Sequence, residues 1–253
     1  MNLKDRVVVV TGAGTGIGRA VAEHFAKAGA RVVVNYRESR EAAEEVVSAI
    51  EAAGGTAAAI AADVSKQSGA KQLMEETVRQ FGRIDCLVNN AGWSTRVPHH
   101  KLDDLTDEIW ERTMNTNLRG AFYCVRAAVP HLKKQPGASI VNVASVAALM
   151  GQGSSLAYAA SKGGMVTMTK SLARALAPGI RVNAVLPGFV RTRFAGWTED
   201  AFASAEKITP LKRLATGDDV AEAVIFFAAH ASSTTGETIV VDGGSSTLGP
   251  SYD

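Results

Sequence analysis

Cysteine is almost missing from this chain. The 253 residues contain two, Cys86 and Cys124. They lie far apart with no CxxC spacing, so neither a zinc site nor a redox pair is indicated. Each sits among apolar neighbours and is expected to be a buried, inert thiol. An excess of one charge is also lacking. The formal net charge is +2, which gives no ground for a nucleic-acid or membrane partner. No stretch offers the roughly 18 consecutive apolar residues that cross a bilayer. The opening segment, Met1 to Arg6, enters an apolar run without the shape of a signal peptide. A cytoplasmic location is the expectation. Repeats, low-complexity tracts and linkers are absent, so one domain over 1–253 is expected. His99 and His100 are adjacent, point in different directions and have no third ligand spaced nearby, so no metal is expected.

What is present is a regular alternation. Short β-branched runs at Val7 to Thr11, Arg31 to Asn35, Thr56 to Ala62, Ile84 to Asn89, Ser139 to Ala144, Ile180 to Leu186 and Thr238 to Val241 read as seven strands. Helical patterns fall between them, at Gly16 to Ala28, Ser39 to Ala53 with Ser39 as its cap, Lys66 to Phe81, Thr106 to Lys134, Ser155 to Ala177 and Gly217 to Ala229. Alternation of this kind predicts an α/β fold, a doubly wound parallel sheet with helices on both faces. The stretch from Phe189 to Thr216 follows a strand end and is expected to be a loop acting as a substrate lid.

The first strand runs into Thr11-Gly12-Ala13-Gly14-Thr15-Gly16-Ile17-Gly18, and a helix follows at once. Glycines there let the backbone approach a pyrophosphate, and the helix N-terminus supplies free N–H donors. The contacts expected from this turn are Gly12, Thr15, Gly16, Ile17 and Gly18. The second strand ends in Asn35-Tyr36-Arg37, where many NAD enzymes place a carboxylate for the ribose hydroxyls. With no carboxylate in that triplet, and Arg37 able to pair with a 2′-phosphate, NADP(H) is expected to be preferred and NAD(H) possible. The alternative for Arg37 is a solvated arginine at a helix entrance.

Tyr158 and Lys162 are four residues apart in a predicted helix and so share a face. Ser145 lies just past a strand end. A lysine cation near a phenol is expected to lower its pKa and fit it for proton transfer.

The ordered set Thr11-Gly12-x-x-x-Gly16-Ile17-Gly18, Asn89-Asn90-Ala91-Gly92, Asn117, Ser145, Tyr158-x-x-x-Lys162 and Pro187-Gly188 resembles the short-chain dehydrogenase/reductase family over essentially the whole chain. The resemblance implies a Rossmann fold and an NAD(P)-dependent oxidoreductase acting on a small-molecule carbonyl or secondary alcohol. It implies Tyr158 as general acid or base, and Lys162 on the nicotinamide ribose. Ser145 would meet the substrate oxygen, and Asn117 would hold a water that relays protons. Asp63 and Val64 would flank the adenine; Asn89, Asn90, Ala91 and Gly92 would line the cofactor cleft; Pro187, Gly188, Val190 and Thr192 would meet the nicotinamide end. Within the family the chain is similar to 3-oxoacyl-[acyl-carrier-protein] reductases and to glucose 1-dehydrogenase-like members. The family further implies a homotetramer built through its two long helices. Trp93, Met150, Phe194, Trp197 and Phe202 are candidate pocket walls. A non-catalytic cofactor-binding protein is the competing class, and the complete tetrad argues against it.

Overall fold

A computed structural model describes residues 2–192 and 194–249. Arg193, in the expected lid, and Met1 lie outside the described residues. The strands are β1 (Val7–Val10), β2 (Arg31–Tyr36), β3 (Thr56–Ala61), β4 (Cys86–Asn89), β5 (Ser139–Val143), β6 (Arg181–Pro187) and β7 (Thr238–Val241). They form one sheet in the order β3-β2-β1-β4-β5-β6-β7. Every pairing is parallel. This is a Rossmann-like α/β fold, and the chain reverses its winding direction between β1 and β4.

The alternation of strand side chains divides the core in two. Val8, Val10, Val32 and Val34 face the layer of α1 (Gly16–Lys27), α2 (Arg40–Ala52) and α9 (Gly217–Ile225). Val9, Val33, Leu87 and Ile140 face the layer of α3 (Gln67–Phe81), α5 (Gly120–Leu132) and α7 (Leu156–Leu176). Because both faces are covered, β1 can be four valines, all buried.

The expected elements differ from the observed ones in four places. The single helix expected from Thr106 to Lys134 is α4 (Asp107–Met114), a wider π-helical turn (Asn115–Arg119) and α5. The last helix likewise passes from α9 into a π turn at Phe226–His230. The segment expected as a loop contains α8 (Glu199–Ile208), capped by Thr198 through its bond from the Ala201 amide. Ser39 precedes α2 but makes no capping bond with its side chain. The short helices α6 (Ala147–Met150) and α10 (Ser245–Leu248) have too few residues to show a period. Among the described residues no helix is long and apolar enough to cross a membrane.

The edge of the sheet opposite the strands' C-terminal ends is pinned by one carboxylate. Asp85 is fully buried. It accepts from Arg6 at 2.7 Å, from Arg83 at 2.7 and 2.8 Å, and from the Val7 amide at 2.9 Å. Burial alone would raise its carboxyl. The bonds from Arg83, Val7 and Arg6 outweigh that and hold it below the ordinary carboxylate value. Its stabilisation is therefore complete above the unfolded carboxyl pKa and fades as pH falls through the lower folded value. Asp85→Asn is expected to cost about 2–3 kcal/mol at neutral pH, because two arginines lose a buried partner. Urea titration at several pH values checks this. The gap from wild type should narrow on acidification; a gap independent of pH would contradict the assignment.

Candidate active site

The C-terminal ends of the strands open into a cleft of about 1360 Å³. A single small ligand occupies roughly 300–1,000 Å³, so this cleft is sized for more than one. Of the site residues expected from the sequence, all but Asn89 and Asn117 line it.

The glycine turn is locked from both sides. The Thr11 hydroxyl accepts from the amides of Asn90 and Ala91, each at 2.9 Å. The Asn90 amide returns bonds to the carbonyls of Thr11 and Gly12 at 2.9 and 3.1 Å. Asn35, buried, accepts from the Gly12 amide at 3.2 Å and donates to Ile60 and Ala62. Gly12 has φ +62°, and a Cβ there would lie 2.9 Å from Ala91 Cα. The N-cap Thr15 makes no side-chain bond, and the first turn of α1 holds no acidic residue. The helix thus presents free N–H donors and its positive dipole end to the cleft. This cradle and its donors fit the pyrophosphate of a dinucleotide.

Beyond the Asn35-Tyr36-Arg37 triplet, Glu38 also lines the cleft, and its carboxylate holds the Arg37 guanidinium at 2.8 Å. Asp63 accepts from the Ser65 amide and hydroxyl, which fixes the bend after β3 next to Val64.

The catalytic wall is built from β5 and α7. Ser155 caps α7 by accepting from the Tyr158 amide at 3.1 Å. One turn on, Lys162 crosses to the end of β5 and donates to the Val143 carbonyl at 2.8 Å. Its Nζ is 5.7 Å from the centre of the Tyr158 ring. The Ser145 hydroxyl, two residues beyond β5, accepts from the Ala147 amide at 3.2 Å and lines the cleft beside Tyr158. Burial dominates the electrostatics here. Withdrawal from water pushes the phenol up to about 12, against a smaller lowering by Ser145. It brings the Lys162 ammonium down to about 8. The expectation that Lys162 sets the phenol below its ordinary value is thus reversed in the protein's own environment.

Asn117 lies in the π turn, fully buried. Its side chain accepts from the Trp93 amide at 2.7 Å and donates to the Trp93 carbonyl and the Ser161 hydroxyl, each at 3.0 Å. Ser161 in turn donates to the Tyr158 carbonyl. The Asn117 amide is engaged on both atoms by protein groups and so braces the segment carrying Tyr158. Asn89 also lies behind the wall, donating to Asn142 at 2.9 Å inside the core. Trp93, Met150, Phe194 and Trp197 line the cleft as expected, whereas Phe202 packs with Ala205 and Leu214 beneath it. Sequence reading passed over Asn35 and Glu38 as cleft residues. The first stood inside a motif already quoted and was legible there as a polar residue at a strand end.

The chain matches the model of the enoyl-(acyl carrier protein) reductase family over residues 12–246. It is 41% identical over 248 residues to a protein assigned as ketoacyl reductase 2 of the granaticin polyketide synthase of Streptomyces violaceoruber, covering 96% of each chain. It is 40% identical over 253 residues to the L-rhamnose 1-dehydrogenase (NAD(P)(+)) of Azotobacter vinelandii, covering 96% of this chain and 98% of that one. A solved structure assigned as a short-chain dehydrogenase/reductase from Burkholderia xenovorans superposes with a TM-score of 0.88 at 39% identity, over 93% of this chain and 96% of that chain. With the glycine cradle, the serine–tyrosine–lysine wall and these matches together, the chain belongs to the short-chain dehydrogenase/reductase family of oxidoreductases.

Proposed function

We propose that this protein transfers a hydride between NADP(H) and a ketone or secondary alcohol, with Tyr158 exchanging the proton. The observation that carries the reading is the wall of Ser145, Tyr158 and Lys162 in the same cleft as the glycine cradle. A bound nicotinamide supplies the hydride to the carbonyl carbon, or accepts it in reverse. The phenol, kept protonated by burial, gives its proton to the carbonyl oxygen, which Ser145 also holds. The phenolate that remains is stabilised by the Ser145 hydroxyl and the Lys162 cation. Two hydroxyls on one wall of the cleft suit an oxygen atom as the proton acceptor.

Arg37 at the end of β2 supports NADP(H) as the preferred cofactor, and its pairing with Glu38 supports tolerance of NAD(H), since Glu38 competes for the cation. The relatives include a ketoacyl reductase and a sugar dehydrogenase, so a 3-oxoacyl thioester and an aldose are the alternative substrates. The 189–216 segment serves as the lid of a single domain. Trp110 on α4 and Phe122 on α5 leave apolar surface exposed, which supports packing of these helices in a homotetramer. A cytoplasmic setting suits the two free, buried thiols.

Tyr158→Phe keeps the ring and removes the proton. Turnover should fall at least about a hundredfold while cofactor affinity stays near that of wild type. Steady-state kinetics with a titration of NADPH fluorescence check this, and substantial residual activity would sink the assignment. The pH profile gives a separate test. Below about 8 Lys162 is a cation and above it neutral, so ketone reduction should stay level in mild acid and decline as pH rises through that value. A rate that climbs across this range would exclude the role. For the cofactor, Arg37→Asp should shift the kcat/KM ratio toward NAD(H) by roughly ten- to a hundredfold, the scale of one charge-assisted hydrogen bond. An unchanged ratio would assign Arg37 to solvent.

A further inference from the structure

The lid has a small core of its own. Phe202, Ala205 and Leu214 form a buried cluster with Trp197 packed against it. Phe189 meets the Trp197 ring edge-on at 5.0 Å between centroids and the Phe202 ring at 6.3 Å. Arg191 lies over the Phe202 ring and pairs with Glu199 and Glu206. The bridge from Val190 to Ala215 closes the base. A unit held in this way moves as one piece.

Three of its side chains reach the rest of the cleft. A Cβ on Gly16, in the glycine cradle, would lie 3.3 Å from the Thr192 methyl. The Phe194 ring packs on Tyr158 with centroids 5.6 Å apart, and its Cε2 would lie 3.8 Å from a Cβ on Gly92. The Arg96 guanidinium lies 4.7 Å from the centre of the Trp197 ring. Arg96 belongs to the loop after β4, which is fixed by the bond from the Val97 amide to the Ser154 carbonyl at 2.8 Å. Just after Phe194, Ala195 and Gly196 are both left-handed, at φ +58° and +64°. Alanine resists that conformation, so the turn that carries the ring inward is held by the ring's contacts.

The Phe194 ring thus stands between Gly92 and Tyr158. A nicotinamide that reaches Tyr158 and Lys162 from the cradle needs the space this ring fills. Resting on the hydride-transfer reading above, we infer that Phe194 is an autoinhibitory contact: the lid, latched through Trp197 to Arg96, lays this ring where the nicotinamide end of the cofactor must go, and the cofactor enters when the latch releases. The latched and released arrangements share the population, and association is slowed in proportion to the latched fraction.

Stopped-flow mixing with NADPH, followed by its fluorescence, tests this. Removing either contact frees the gap more often, so association should quicken while dissociation keeps its rate. The on-rate is expected to rise about two- to tenfold in Phe194→Ala, the scale of one aromatic pair. In Arg96→Ala it should rise about two- to fivefold, the scale of one exposed cation–π contact. Arg96 does not line the cleft, so its effect reads the latch and not a lost wall. On-rates equal to or slower than wild type in either variant overturn the inference. A change carried by dissociation also overturns it, since that marks Phe194 as a wall that holds the cofactor. Hydride transfer survives those outcomes if NADPH still binds. NADPH that fails to bind the wild-type protein overturns both.

Discussion

At Gly18 a single added carbon would lie 2.4 Å from the carbonyl oxygen of Gly12 and equally close to the side-chain amide of Asn90. The first helix therefore packs directly onto the turn that precedes it and onto the strand end beside it. Everything else in the site is referred to this contact. It brings the N-terminus of α1 to the mouth of the sheet and holds β1 against β4 at the point where the winding reverses. The polar links through Thr11, Asn35 and Asn90 then fix the turn to three strands. A cleft at such a reversal needs no special wall, because the helices on either side lead away from it.

Burial, more than pairing, sets the chemistry on the facing wall. The Lys162 ammonium is directed by one backbone carbonyl, and the loss of water around the phenol outweighs the lowering from Ser145. The protein's own residues consequently hold the phenol as an acid throughout the neutral range. That state suits carbonyl reduction, while alcohol oxidation requires added positive charge or hydrogen bonding at the phenol.

The parallel sheet covered on both faces was legible because both signals were strong. β-Branched runs separated by helical periods admit few topologies once right-handed crossovers are required. The cleft was legible wherever a motif forced a backbone geometry, as at Gly12 and Gly16, or set two side chains one helical turn apart, as at Tyr158 and Lys162. It was not legible where function depended on contact between distant segments. Nothing in the spacing of Asn117 shows that it clasps Trp93. The composition of Thr106 to Lys134 does not reveal a widened turn, since the i to i+5 ladder differs from the i to i+4 ladder by one residue. Glu38 was missed for a simpler reason: it lies one residue beyond the triplet that drew notice, and only the fold turns it back onto Arg37.

The 189–216 segment is tied at its base, where Val190 pairs with Ala215. Its two ends are therefore neighbours whatever lies between them. The entropy of closing such a loop grows only with the logarithm of its length, about 0.6 kcal/mol for each doubling. Insertions or exchanges of α8 and its flanks would then reshape one wall of the cleft while the glycine cradle keeps its register.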